Sequence, residues 1–306
     1  MAGSGGSTAP APRFVVPGAD RWRLRDRSLD LGRPRIMGIV NLTPDSFSDG
    51  GELSGPEAAL ERAAAMVEDG ADVLDVGGES TRPGAEGVAD AEQIRRILPF
   101  VREAVARFPV PLSVDTRSAA VARAALEAGA SIVNDVSGLA HDPSLGRVVA
   151  ESGAGLVLMH MRGEPSTMTE RARYRDVVVE VRDELRGAMD RALAAGVDAE
   201  RVVVDPGLGF AKTAAHNWTL LRRLDELLDL GRPLLVGPSR KRFLGDLLGV
   251  PARERQVGTA ATCVLAYLAG ARVFRVHDVR PVAQALRVAM AVAGTHETRD
   301  VSTGDG

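Results

Sequence analysis

Residues 35–77 read RIMGIVNLTPDSFSDGGELSGPEAALERAAAMVEDGADVLDVG, and this stretch decides the fold. It opens and closes on short apolar runs, Arg35–Asn41 and Asp72–Gly77. Both are rich in β-branched residues and too brief for a helix, the pattern of buried parallel strands. Between them Ser54–Glu57 has capping-box spacing, Leu60, Ala64 and Val67 share one helical face, and Gly70 marks a stop. Strand, helix and strand in that order form a unit whose crossover makes the two strands parallel.

The unit recurs. Runs of the same kind at Pro111–Asp115, Ser131–Asp135, Gly155–His160, Arg201–Asp205, Pro233–Gly237 and Arg272–His277 bring the strands to eight. Apolar helical stripes fall at Val178, Val181, Leu185 and Met189, and at Leu286, Ala289 and Val292. Eight such units on 306 residues predict an α/β fold, a closed (β/α)8 TIM barrel. A doubly wound open sheet is the alternative, but no strand is followed by G-x-G-x-x-G. The barrel is expected to occupy residues 13–294 as a single domain. It lies between a Gly, Ser, Ala and Pro-rich disordered tail at 1–12 and a flexible tail at 295–306.

Composition limits the function. Apolar residues at 45% and charged residues at 26% are the balance of a soluble globular protein and exclude a disordered chain. No apolar run approaches the roughly 20 residues of a membrane helix, so no membrane partner is expected. A net charge of −3 makes nucleic acid a poor partner. Cys263 is the only cysteine, which leaves no internal disulfide and points to a reducing cytoplasm. It lies in an Ala-rich apolar helix and reads as core. Of 38 basic residues only Lys212 and Lys241 are lysines, and the only asparagines are Asn41, Asn134 and Asn217. Where these types persist against the compositional bias, a chemical reason is expected.

The strands share a second property: each is apolar until its last residues. Asn41, Asp75, Asp115, Asn134 with Asp135, His160, and Asp205 lie at or near the ends of the first six; Ser239 and Lys241 follow the seventh; Arg275 and His277 end the eighth. In a barrel these ends meet at the face where active sites are built. Alternation puts Arg275 and His277 on one side of their strand. A guanidinium fork beside a histidine suits phosphate oxygens, and loops after the last two strands are the usual phosphate location. An ion pair between Arg275 and Asp278 is the plain structural alternative. Asp115, Asn134 and Asp205 could read a flat heterocycle through its N–H edge, or the two carboxylates could hold a divalent metal. The loops Asn41–Gly51 and Gly77–Gly84 are long, small-residue rich and hinged by Gly and Pro, as lids are. Phe47 is the one large apolar residue of the first.

Eight stretches together resemble one family. They are NLTPDSFSDGG at 41–51, GGESTRPG at 77–84, SVDT at 113–116, NDV at 134–136, LMHM at 158–161, DPGLGF at 205–210, SRK at 239–241 and RVHDV at 275–279. In this order they are similar to bacterial dihydropteroate synthase, over roughly residues 35–285; the stretch before residue 30 is not explained by the likeness. The resemblance implies a (β/α)8 barrel, usually a homodimer, in folate biosynthesis. It implies condensation of 6-hydroxymethyl-7,8-dihydropterin diphosphate with 4-aminobenzoate to 7,8-dihydropteroate and pyrophosphate, assisted by Mg²⁺ and open to competition by sulfonamides. Carried over by position, it assigns Asp115, Asn134, Asp205 and Lys241 to the pterin, with Met159 and Phe210 in the pocket wall. It makes Asn41 the Mg²⁺ and diphosphate contact, and Arg275 and His277, beside Ser239, the diphosphate anchors. Thr81, Arg82 and Pro83 fall on the second lid; Phe47 and Asp49 fall on the first, with Asp49 counted among the catalytic residues. Two rival functions are a pterin-binding methyltransferase, which would not need the RVHDV anchor, and a non-catalytic pterin binder, which would have damaged lids or anchors.

Overall fold

The chain begins with a small antiparallel hairpin, β1 (Arg21–Arg23) and β2 (Ser28–Asp30), in which Trp22 faces Leu29. Eight strands follow: β3 (Arg35–Asn41), β4 (Val73–Gly77), β5 (Leu112–Asp115), β6 (Ile132–Asp135), β7 (Gly155–Met159), β8 (Val202–Asp205), β9 (Leu235–Val236) and β10 (Val273–Val276). Their spatial order is β8-β7-β6-β5-β4-β3-β10-β9, all neighbours parallel. A parallel bridge between Val204 and Leu234 joins the two ends of this order and closes the barrel. The helices are α1 (Pro56–Glu68), α2 (Asp90–Arg107), α3 (Ala119–Glu127), α4 (Leu145–Ser152), α5 (Val177–Ala194), α6 (Ala214–Arg222), α7 (Arg242–Leu248), α8 (Gln256–Leu268) and α9 (Val279–Val292). This computed structural model describes residues 20–42, 56–80, 84–85 and 87–294. The tails at 1–12 and 295–306, the Ser54 cap, and Phe47, Asp49, Thr81, Arg82 and Pro83 lie outside the described residues.

Local chemistry explains where elements start. Asp176 caps α5 by accepting from the N–H of Val178 at 2.9 Å and of Val179 at 3.2 Å, satisfying two of the first-turn donors. Val178, Val181 and Leu185 then face the barrel and are buried. The last stripe is corrected at one residue. Leu286 and Ala289 are buried, but Val292 is 82% exposed, because the final turn of α9 is not covered by neighbouring elements.

Side chains pointing into the barrel form two zones. At the N-terminal ends Met37, Val73, Ile132, Val157, Val203, Leu235 and Val273 make an apolar cluster with Trp22, Leu24 and Leu31 from the hairpin segment. The stretch before β3 is therefore the plug of the barrel. Trp22 is fully buried and donates its indole N–H to the carbonyl of Arg201 at 2.8 Å, so its one polar atom is satisfied inside. Gly155, at the start of β7, makes room for the plug: a Cβ there would stand 2.6 Å from Leu24 and 3.1 Å from Trp22. Two residues further along the strands the same inward positions become Asp75, Asn134, Asp205 and Arg275. The site stands on this change from apolar to ionisable.

Candidate active site

Asp75 on β4, Asp115 on β5, Asn134 on β6 and Asp205 on β8 are all buried. Burying carboxylates without partners is expensive, so their counter-charges matter. Arg275 on β10 supplies one. Its Nε donates to Asp75 at 2.6 Å and an Nη donates to Asp115 at 2.6 Å, one fork spanning two carboxylates. Asn134 donates to the same Asp75 oxygen at 3.1 Å. Burial alone would pull the Arg275 guanidinium down, but Asp75 and Asp115 more than offset it and hold it charged. Burial pushes the Asp115 carboxyl above the usual carboxylate range, and the charges of Asp75, Asp135 and Glu79 add to this while Arg275 opposes it. The second oxygens of Asp75 and Asp115, and the Ser113 hydroxyl, are buried with no hydrogen-bond partner among the described residues. That acceptor capacity is unused among the described residues.

Asp205 begins the turn DPGLGF. Its Oδ1 accepts the N–H of Gly207 at 2.7 Å. Burial pushes its carboxyl up to about 6, against the Gly207 N–H and the charges of Lys241 and Lys212. Gly207 has φ +68°, and a Cβ there would lie 2.0 Å from the carbonyl oxygen of His160, so only glycine fits this close approach to β7. Asn217 accepts from the N–H of Gly209 at 2.8 Å, which gives that scarce asparagine a structural purpose. The turn delivers Phe210 to the pocket. The Lys241 ammonium stands 4.0 Å from the centre of its ring, a cation–π contact.

Lys241 ends the loop after β9. Arg240, before it, has φ +57° and pairs with Asp278 at 2.6 and 2.9 Å. Asp278 is thus the partner of Arg240, not of Arg275. Arg255 donates to the carbonyls of Arg240 and Lys241 at 3.0 and 3.2 Å, fixing the loop from below. Ser239 and His277 are brought together as the strand order requires: Oγ lies 3.0 Å from Nδ1, and the His277 N–H donates to Oγ at 3.1 Å.

One pocket collects these groups. It is lined by Asn134, Val136, Met159, Asp205, Leu208, Phe210, Gly237, Lys241 and Arg275. Val136, Met159, Leu208 and Phe210 form its apolar wall, and Met168 and Ala211 cluster with three of them. Asp115 is not in the lining; it pairs with Arg275, which is. Asn41 is half-buried at the end of β3, where its register partner is Gly77. No group of three or more His, Cys, Asp or Glu side chains able to hold a metal occurs among the described residues. Asp115 pairs with Arg275, which it shares with Asp75, and the charges of Lys241 and Lys212 act on Asp205.

The sequence profile described as pterin binding enzyme matches residues 37–277, from within β3 to just past β10. A dihydropteroate synthase from Synechocystis is 48% identical over 261 residues, 85% of this chain and 90% of that protein. The chain belongs to the dihydropteroate synthase family. A Xanthomonas albilineans dihydropteroate synthase solved with 4-aminobenzoic acid superposes with a TM-score of 0.84 at 45% identity, over 90% of this chain and 98% of that one. The same organism's dihydropteroate synthase in complex with 7,8-dihydropteroate gives 0.81 at 43% identity, over 89% and 98%. Against this family the sequence reading missed two groups of the site. Asp75 was visible at a strand end, but nothing local marked it as the common partner of Arg275 and Asn134. Lys212 was visible only as one of two lysines.

Proposed function

We infer that the barrel is a transferase of folate biosynthesis, condensing 6-hydroxymethyl-7,8-dihydropterin diphosphate with 4-aminobenzoate to give 7,8-dihydropteroate and pyrophosphate. The observation that carries this reading is the pocket in which Asn134, Asp205, Lys241 and Arg275 converge beside the apolar side chains of Met159 and Phe210. A pterin offers a row of N–H donors and a ring carbonyl on one edge. Asp205 and Asn134 accept from and donate to that edge, Lys241 donates to it, and Asp115 takes part through its unpaired oxygen or through Arg275.

The bond that breaks joins the ring's exocyclic methylene carbon to the diphosphate oxygen, and the electron pair leaves with pyrophosphate. The bond that forms joins that carbon to the amine nitrogen of 4-aminobenzoate, which gives up a proton. An electron-rich ring stabilises positive charge on the carbon, so no strong nucleophile or base is needed from the protein. The chain must hold the ring, neutralise the leaving group and exclude water. Ring contacts fall to Asp115, Asn134, Asp205 and Lys241; diphosphate contacts fall to His277, Ser239 and Arg275; exclusion of water falls to the two loops, one bearing Asp49 and the other Thr81–Pro83, the latter beside 4-aminobenzoate. Asn41 offers a hard oxygen donor at the mouth. It would hold a Mg²⁺ ion, a hard cation that prefers oxygen donors. Bound there, such an ion would neutralise charge on the leaving group.

A homodimer in the cytoplasm completes the reading. α8 and α9 expose Val257 at 81%, Leu265 at 67% and Val288 at 66%, apolar surface of the kind that a second copy would cover. Among the described residues no helix is long and apolar enough to cross a membrane. Pyrophosphate release is the test. It should require both substrates and form one pyrophosphate per pteroate; saturable pterin binding without release would make the chain a binder instead.

A further inference from the structure

Lys212 follows the DPGLGF turn and is one of two lysines among 38 basic residues. Its ammonium nitrogen lies inside the protein, 2.9 Å from the carbonyl oxygen of Phe210, 2.9 Å from Nδ1 of His160 and 3.4 Å from the carbonyl oxygen of His160. Three acceptors converge on one point, and an ammonium carries three N–H donors. A guanidinium spreads its donors over a plane and cannot serve three acceptors that meet at a point. The geometry therefore accounts for a lysine where the chain otherwise writes arginine.

The acceptors belong to two different strand ends. His160 follows β7, and its N–H donates to the carbonyl of Asp205 at 2.9 Å. Phe210 follows β8. The His160 ring is itself fixed: Nε2 is 2.9 Å from a carboxylate oxygen of Glu184 on α5. A carboxylate takes the N–H at Nε2, which leaves Nδ1 as the acceptor that Lys212 needs. Burial and the Lys212 charge push His160 down to about 4, in keeping with a neutral ring. Burial also pulls Lys212 down to about 7, with Asp205 and Glu184 opposing.

We propose that Lys212 is a positioning residue for the ring pocket: it ties the Phe210 and His160 carbonyls together and so holds the Phe210 ring where Lys241 packs on it. The backbone it restrains bends sharply, with φ of +80° at Gly209 and +49° at Ala211. Besides Lys212, the turn is held by the Gly207 N–H on Asp205 at 2.7 Å, the Phe210 N–H on the Gly207 carbonyl at 3.1 Å, the Gly209 N–H on Asn217 at 2.8 Å and the Tyr174 hydroxyl on the Ala211 carbonyl at 3.0 Å, but among these only Lys212 takes the Phe210 carbonyl. Without that tie the ring wall loses its fixed distance from Asp205. Lys212 acts through the turn and does not line the pocket.

This inference rests on the pocket being the pterin site, and the experiment separates the two. Lys212→Met, Phe210→Leu, the double variant and Asp205→Asn are titrated with 6-hydroxymethylpterin by calorimetry, with steady-state kinetics alongside. Lys212→Met should weaken pterin binding roughly 10-fold or more, the scale of one lost charge-assisted hydrogen bond. KM for pterin diphosphate should rise while KM for 4-aminobenzoate stays within about 2-fold, a split that general loosening of the barrel would not give. In the Phe210→Leu background the Lys212→Met loss should shrink, because coupled residues are not additive. If Lys212→Met does not fold, the cycle is run with Lys212→Gln, which keeps two N–H donors and should lose less. Unchanged pterin affinity in a folded Lys212 variant, or losses that add fully in the double variant, would overturn the proposal. Normal pterin binding by Asp205→Asn would instead remove the pocket assignment on which it stands.

Discussion

The two ends of the same eight strands obey opposite rules. At the N-terminal end, inward side chains are apolar, fully buried and capped by Trp22, Leu24 and Leu31. At the C-terminal end the next inward positions hold Asp75 and Asp205, buried as well, and the half-buried Arg275. The first end stabilises the barrel through area removed from water, about 25 cal/mol per Å². The second works against it. Raising Asp205 from 3.8 to about 6 means that its ionised form is disfavoured in the fold by about 3 kcal/mol. The sign follows from the direction. A carboxyl raised by folding binds its proton more tightly in the folded state, so stability falls as pH rises from about 4 to about 6 and the penalty is complete above that. The barrel carries this cost where a ligand with N–H donors would relieve it.

The contrast is broken most strongly at the plug. Trp22→Ala removes a fully buried indole and its hydrogen bond, and should destabilise the protein by roughly 3–5 kcal/mol. Turnover per folded molecule should stay the same. Denaturant unfolding with activity measured in the native baseline checks both; a large loss of turnover with little loss of stability would mean that the plug shapes the mouth. A smaller effect is expected at the other end. Lys241→Arg keeps the charge but replaces a compact donor on the Phe210 ring with a wide fork, and should weaken pterin binding by about 1.5–3 kcal/mol, the range for a bond to a charged group. Near-normal affinity would mean that charge alone matters there.

Protonation gives a graded test. The Asp205 carboxylate accepts from the ring only when ionised, so pterin affinity should fall as pH drops through about 6, by up to tenfold, about 1.4 kcal/mol, per unit. Calorimetry across pH 5–8 would show it, and a flat profile would detach Asp205 from the ring. The smallest effect is expected beside Lys241. Arg242 is exposed and, among the described residues, pairs with Asp246 at 3.7 Å. Arg242→Lys should change stability and pterin affinity by no more than about 0.5 kcal/mol.

What was legible in the sequence follows the same division. The strands were readable because buried parallel strands are short, β-branched runs, and their ends because polarity changes abruptly there. Cys263 was readable as core and is fully buried. The hairpin was not read: β1 and β2 have three residues each, and contacts that hold it in the barrel lie far along the chain, such as the Arg201 carbonyl, 179 residues from Trp22. Asp75 sits inside an apolar run, and its partner Arg275 is 200 residues away, so no local pattern announces the pair. Val292 kept helical spacing with Leu286 and Ala289, but spacing does not tell where the barrel wall stops.

The central claim is that the C-terminal end of the barrel gives up stability to hold a ring. Asp205→Asn tests it most directly, because asparagine keeps the size and can keep the acceptor for the Gly207 N–H. Pterin affinity and thermal unfolding should be measured on the same preparation at neutral pH. Pterin binding should weaken by about 1.5–3 kcal/mol, with a midpoint of unfolding equal to or above that of the parent. Unchanged pterin binding, or a variant markedly less stable than the parent, would contradict it.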